Sequence, residues 1–184
     1  ESSTLEKFIE NYVFESLIKR EASIITSYQT SGLSTTDSAS TSQLSITCSI
    51  LTGEITSTFI ADEVSIEMTI RLPKLYPLRN VEVECKRKMG INENRWRRWT
   101  LQIIQLLSQR DGSVLDAILL WKKNIDREFE GIEPCPICYS VLDPKNLSLP
   151  SLQCPTCRNK FHQACLYKWF STSGKSKCVL CQQP

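Results

Sequence analysis

Eight metal-ligand residue types crowd the last fifty or so positions of this chain, and their spacing constrains it more than any other feature. Cys135, Cys138, Cys154, Cys157, His162, Cys165, Cys178 and Cys181 follow one another at intervals of two, fifteen, two, four, two, twelve and two residues. Each two-residue interval makes a tight knuckle that turns two donors toward one ion, and four such pairs furnish two tetrahedral sites with no open position. Closed sites are structural. Asp143 is the one carboxylate in the segment that a hydrolytic metal would have for a base. A stretch this short, with few aliphatics, cannot offset chain entropy by apolar burial, so two structural zinc ions are the expected cofactors and the metal-free segment is expected to be unfolded.

Of the nine Cys in the chain, seven lie in this segment together with the only His. Paired spacing with a His among the thiols reads as zinc and not as a disulfide framework, which implies reduced thiols and a cytosolic or nuclear setting. The densest apolar stretch, Val114 to Trp121, is interrupted by Asp116 and is far too short to span a membrane. The acidic, amphipathic start does not look like a signal peptide. From Cys135 onward six Lys or Arg face one acid, Asp143. Seven thiolates and two zinc ions reduce that excess to roughly +2, which weakens a nucleic-acid reading of this end.

The rest of the chain has room for one ordinary core. Residues 4–25 pattern as an amphipathic helix with Leu5, Phe8, Ile9, Tyr12, Val13 and Leu17 at helical spacing, and Ser3 with Glu6 suggests a capping box. Ser and Thr dominate from Ser27 to Ser42, the composition of a flexible connector. Period-two runs follow: Leu44, Ile46, Cys48, Ile50; then Ile55 to Ile60 after the Thr52-Gly53 turn; then Val64 to Leu72; then Val81, Val83, Cys85. Four successive strands suggest an antiparallel sheet with one buried face. Trp96, Trp99, Ile103, Leu106 and Leu107 line a first helix that ends at Asp111-Gly112, and Ser113 with Asp116 opens a second, carrying Val114, Ile118, Trp121, Ile125 and Phe129. The fold class expected is α+β. Its parts are a helix over 1–26, a linker over 27–42, a sheet-and-helix domain over 43–131 and a zinc finger over 132–184.

The ligand order Cys-Cys-Cys-Cys-His-Cys-Cys-Cys, with "HQACLYKWF" placing Trp169 four residues beyond Cys165, resembles a RING domain of the variant type. That resemblance implies a cross-brace: Cys135, Cys138, His162 and Cys165 on one ion, and Cys154, Cys157, Cys178 and Cys181 on the other. The segment before it is similar to RWD domains, which share the order helix, four strands, two helices and a Tyr-Pro turn, here Tyr76-Pro77. An RWD domain directly ahead of a RING resembles the ubiquitin ligases of ribosome-associated quality control. The resemblance is sharp in the RING part and diffuse in the RWD part, and it departs from pattern at Val179, Gln182 and Val81, where Pro, a basic residue and Pro are common in those families.

Such a ligase implies a ubiquitin-conjugating enzyme charged with ubiquitin as partner, Lys of a stalled nascent chain as acceptor, the large ribosomal subunit as platform, the cytosol as location and no membrane. Ile137, Trp169, Val179 and Leu180 are the apolar groups expected to line the conjugating-enzyme groove, with Gln182 as a weak linchpin. No residue is expected to act as a catalytic nucleophile. Cys85 and Cys48 lie in phase with buried strand positions, and no His-Pro-Asn motif precedes Cys85. Lys86, Arg87, Lys88, Arg95, Arg97 and Arg98, against Glu93 alone in that stretch, are candidates for contact with ribosomal RNA phosphates. The rival reading is a histone-tail or peptide reader of the plant-homeodomain type, which uses the same ligand order but carries an aromatic where Ser176 stands.

Overall fold

The structure is a computed structural model that describes residues 2–32, 42–61, 63–109 and 112–183. It divides into two compact units, Glu1–Lys88 with Asn92–Glu128, and Met89–Ile91 with Phe129–Pro184. The α+β architecture expected from the sequence is present, with a four-stranded sheet and helices in the first unit and the Cys-rich region in the second.

In the first unit, α1 (Ser2–Phe8) and α2 (Phe14–Gly32) are joined by a π-helical turn over Ile9–Val13. Strands β1 (Ser42–Ser49), β2 (Glu54–Ala61), β3 (Val64–Arg71) and β4 (Glu82–Arg87) form an antiparallel meander in sequential order. Alternation decides the buried face: Ile55, Ser57 and Phe59 of β2 and Val64, Ile66, Met68 and Ile70 of β3 all turn inward. Gly53 turns β1 into β2 at φ +68°, and a Cβ there would come within 2.8 Å of the Leu72 carbonyl, so a glycine is required. Helices α3 (Glu93–Gln109) and α4 (Val114–Phe129) contribute Trp96, Trp99, Ile103, Leu107, Ile118, Trp121 and Ile125 to the core. Ser113 and Asp116 open α4 as expected, and they do so as a capping box: the Ser113 N–H donates to Asp116 Oδ2 (3.0 Å) and the Asp116 N–H to Ser113 Oγ (3.1 Å). The Tyr76-Pro77 peptide is cis.

Two features of the first helix differ from expectation. Leu5, Phe8 and Tyr12 are exposed, and the inward stripe is Ile9, Ile18 and Ile25. The cause is the π turn: the Phe14 N–H reaches back to the Ile9 carbonyl, and the extra residue per turn rotates the apolar face away from Leu5 and Tyr12. The helix also runs on to Gly32, through residues with linker composition. Ser27, Thr30 and Ser31 fold their hydroxyls onto carbonyls one turn earlier, and Gln29 Nε2 donates to the Ile46 carbonyl of β1 (2.8 Å). Residues 33–41 of the expected linker, and Asp111 of the expected helix stop, lie outside the described residues.

In the second unit, Met89–Ile91 joins the Cys-rich residues, with the Gly90 N–H donating to the Leu147 carbonyl (2.9 Å). Regular structure here is sparse: the hairpin β5 (Leu152–Gln153) and β6 (Lys160–Phe161), and α5 (Gln163–Ser173). Phe161 and three thiols, Cys135, Cys154 and Cys178, make the small core, with Ile137, Leu166 and Val179 packed against it. Among the described residues no helix is long and apolar enough to cross a membrane.

Candidate metal centre

The backbone builds the donors from one repeated loop. Cys135 N–H donates to the Ser140 carbonyl (3.0 Å) while Tyr139 N–H donates to the Cys135 carbonyl (2.8 Å). The same pair of bonds recurs as Cys154 to Asn159 (3.0 Å) with Arg158 to Cys154 (2.9 Å), and as Cys178 to Gln183 (2.9 Å) with Gln182 to Cys178 (3.2 Å). In each loop the residue after the second Cys is left-handed, with Tyr139, Arg158 and Gln182 all at φ 59°. That conformation is strained for a side chain, and the loop sustains it three times because it leaves both thiols on one side.

A fourth loop has the same construction without thiols. The Asp143 N–H donates to the Ser148 carbonyl (3.0 Å), the Leu147 N–H donates to the Asp143 carbonyl (2.8 Å), and Leu147 sits at φ 54°. Asp143 Oδ1 accepts the Lys145 N–H (2.8 Å) and Asn146 Oδ1 the Ser148 N–H (3.1 Å), so two oxygens stand where thiol sulfurs stand elsewhere. Asp143 is buried and its Oδ2 has no hydrogen-bond partner. Sequence reasoning passed over this loop, although DPKNLS aligns position by position with CPICYS.

The three thiol loops and the start of α5 bring the eight predicted donors into two groups, Cys135, Cys138, His162 and Cys165, and Cys154, Cys157, Cys178 and Cys181, with the donor atoms of each within 4.8 Å of one another. Both groups interleave in the chain, as a cross-brace requires, and each can hold a metal ion. His162 presents Nδ1 to Cys138 Sγ (3.3 Å) and Cys165 Sγ (3.9 Å), while Nε2 lies 3.1 Å from the Val141 carbonyl. A carbonyl only accepts, so Nε2 carries the proton and Nδ1 is left free to ligate. Val141 is thus an orienting residue that the ligand pattern alone did not reveal.

The thiols are crowded in a way that favours a cation between them. N–H groups of Cys157 and Thr156 pull the Cys154 thiol down to about 6, whereas Cys181, 3.7 Å away, is raised to about 11. At Cys181 the Gln183 N–H acts to lower the value, but burial and the neighbouring Cys178 and Cys154 outweigh it. In the other group burial, with Cys138 and Cys135 beside it, pushes Cys165 up to about 12. Burial also opposes ionisation of Cys135, yet N–H donors from His162, Ile137 and Cys138 carry it below the usual thiol range. Thiols that differ this much within one cluster share protons that a divalent ion would displace.

The predicted groove residues sit on the elements these clusters pin. Ile137 and Val179 are half-buried at the tips of the first and last knuckles, and Leu180 is 48% exposed. Trp169, one turn after Cys165 on α5, is half-buried and donates Nε1–H to the Lys177 carbonyl (3.4 Å). Gln182 is exposed, with Nε2 donating to the Val179 carbonyl (3.0 Å).

In the first unit, the six predicted cations are not equivalent. Lys86 lies 3.8 Å from Glu67, Lys88 pairs with Glu93 and Arg95 pairs with Glu128. Arg87 reaches Ser65 Oγ (3.3 Å). Among the described residues Arg97 and Arg98, both exposed on α3, form no ion pair. Cys85 is half-buried, and burial raises its thiol to about 11.

Residues 135–181 match the family described as RING-variant domain, and residues 44–128 match ubiquitin conjugating domain-like proteins. Over 178 residues, 97% of this chain, the sequence is 40% identical to the E3 ubiquitin-protein ligase listerin of Saccharomyces cerevisiae. Over most of its length the chain is similar to one part of the listerins. The listerin of Gallus gallus is 38% identical over 181 residues, 98% of the chain, and that of Schizosaccharomyces pombe is 50% identical over 131 residues, 71% of the chain. These matches cover 11%, 10% and 8% of the respective listerins, so the chain spans about a tenth of their length. Residues 135–181 are accordingly a RING-variant domain, and its two Cys and His clusters are those the resemblance to RING domains implies.

Proposed function

We propose that the second unit is the enzyme-recruiting head of a RING-type ubiquitin ligase, held in shape by two structural zinc ions. Donor geometry supports the metal. A tetrahedron with Zn–S arms of about 2.3 Å has S–S edges of about 3.8 Å. The Cys154–Cys181 and Cys157–Cys178 sulfurs lie 3.7 and 3.8 Å apart. For one imidazole arm of about 2.0 Å the S–N edge is about 3.5 Å, and the two His162 Nδ1 distances, 3.3 and 3.9 Å, straddle it. Four protein donors per ion leave no open position, so zinc here supplies stability and shape.

One observation carries the functional reading: Ile137, Trp169, Val179 and Leu180 stay at least partly exposed on three separate elements that the metal clusters tie together. A domain this small keeps apolar groups at its surface when they serve a partner. The partner is a conjugating enzyme carrying thioester-linked ubiquitin, and the ligase supplies position in place of a nucleophile. Gln182 exchanges its bond to the Val179 carbonyl for one to the enzyme and ubiquitin, and a substrate Lys then attacks the oriented carbonyl. A raised, half-buried Cys85 fits a chain that forms no thioester of its own. A tail-reading finger would need an aromatic wall where Ser176 stands exposed.

By kinship with the listerins, the substrates are stalled nascent chains on the large ribosomal subunit, in the cytosol. Arg97 and Arg98, unpaired on α3, are the cations best placed to meet ribosomal phosphates. The test of the ligase reading is discharge of a charged conjugating enzyme onto free lysine by the purified chain. Discharge that falls about tenfold or more in Ile137→Ala and in Trp169→Ala, at unchanged zinc content, is the expected result; a rate indifferent to both changes refutes it.

A further inference from the structure

The zinc-binding segment has a surface of one sign. Lys145, Arg158, Lys160, Lys168, Lys175 and Lys177 are all exposed, and none of them makes an ion pair among the described residues. From Cys135 to Gln183 the only carboxylate is Asp143, which is buried. Net charge hides this arrangement. The thiols that lower the sum are buried or half-buried, whereas the cations are exposed, and a contacting group a few ångströms from an ammonium responds to the nearer charge.

Four of these cations flank the ligands of one cluster in the sequence, in two separate stretches of chain. Arg158 follows Cys157 directly and Lys177 directly precedes Cys178, and the two sulfurs are 3.8 Å apart. Lys160 lies on β6, two residues beyond Arg158. Lys175 follows Gly174, which closes α5 in the left-handed conformation at φ 64°. Four thiolates with one divalent ion carry a formal −2, so two of the four cations balance the cluster and two remain uncompensated. Arg158 is held by the left-handed knuckle backbone, which presents a guanidinium from a rigid loop, and that group suits bidentate contact with phosphate oxygens.

We infer that Arg158, Lys160, Lys175 and Lys177 form a contact surface for the RNA phosphate backbone, separate from the Arg97 and Arg98 candidates of the first unit. A protein partner displays both signs and would be met by a mixture of cations and carboxylates. A stretch with six exposed cations and no exposed carboxylate between Cys135 and Gln183 matches a polymer whose every repeat is anionic, and the exposed Glu130 and Glu133 of the same unit precede it in the chain. The choice of RNA over DNA rests on the ribosomal reading given above.

The experiment uses the full zinc-loaded chain, a fluorescent RNA hairpin and a DNA hairpin of the same sequence, with anisotropy measured from about 50 to about 200 mM salt. The variant is Lys160→Gln, Lys175→Gln, Lys177→Gln, which leaves the Arg158 backbone undisturbed. The slope of log affinity against log salt is expected to shrink by about two to three, with affinity for RNA falling about tenfold or more at the low-salt end and zinc content unchanged. Unchanged RNA affinity and slope overturn the inference, whereas a comparable loss of affinity for the DNA hairpin in the variant supports it, because the contact is to phosphates that both polymers carry. Retained RNA binding with lost thioester discharge, which would mark a protein-facing rim, also overturns it. Co-sedimentation of Arg97→Glu, Arg98→Glu with large subunits is read in parallel. Loss there beside an unaffected triple variant leaves the ribosomal reading standing while this inference falls; a wild-type chain that does not co-sediment, beside a triple variant weakened for RNA, removes the ribosomal reading and leaves this surface standing as an RNA contact.

Discussion

Asp143 offers a perturbation whose effect should be confined to one of the two metal clusters. Its carboxylate closes the thiol-free knuckle by accepting the Lys145 N–H at 2.8 Å, and it is buried. Two residues earlier, the Val141 carbonyl holds His162 Nε2. Asp143→Ala removes the acceptor and leaves a partly buried N–H without a partner, a loss of about 1–3 kcal/mol. If half of that loss falls on the segment that steadies Val141, His162 becomes freer to rotate out of its cluster, and the ion there should exchange roughly two- to tenfold faster, a tenfold change being about 1.4 kcal/mol. The four-thiol cluster has no bond to this loop and should keep its rate. Asp143→Asn retains Oδ1 as acceptor for the Lys145 N–H, so its cost should be smaller than that of Asp143→Ala. The assay is stopped-flow release of zinc to a colorimetric chelator, which resolves two phases in the wild type. Acceleration of one phase only, in Asp143→Ala and not in Asp143→Asn, is expected. Equal acceleration of both phases, or none, would show that the loop does not support His162.

Other expectations follow from the same geometry. Gln182→Arg should raise thioester discharge several-fold, since a charged donor makes hydrogen bonds about twice as strong and Arg158 already occupies the equivalent left-handed position; a rate at or below wild type would count against Gln182 as linchpin. Cys154 is depressed to about 6, so its ionised form favours the folded state: that contribution is complete above the ordinary thiol value of 9.0 and is lost as pH falls through about 6. Zinc content followed by mass spectrometry should therefore hold at neutral pH and decline below about pH 6, and loss that begins on the alkaline side contradicts the assignment. Reversing Arg97 and Arg98 to Glu should weaken co-sedimentation with large ribosomal subunits more than reversing Arg95, which is already paired with Glu128; equal effects would mean that the ion pair does not screen Arg95.

The donors were legible in the sequence because metal ligands obey strict spacing, their cross-brace grouping came from the resemblance to RING domains, and the strands were legible because Val64, Ile66, Met68 and Ile70 alternate without a break. What escaped depended on contacts between distant residues or on backbone detail. Ser27 to Gly32 have the composition of a connector, yet they are helical because Ile25 is buried and Gln29 bonds to β1. The exposed Leu5 and Tyr12 depend on a π turn that helical periodicity does not anticipate. Lys86 and Arg95 look free in the sequence, and their partners Glu67 and Glu128 become visible only in the fold. The Asp143 loop was hidden because attention to thiols conceals a knuckle made with oxygen.

Native mass spectrometry of the reduced, folded chain tests whether paired donors enclose metal and so fix the positions of Ile137, Trp169, Val179 and Leu180. Two zinc ions per molecule, falling to one when Cys154 and Cys157 are both replaced by Ser, is the predicted spectrum. A folded molecule that retains its secondary structure with one ion or none would contradict it.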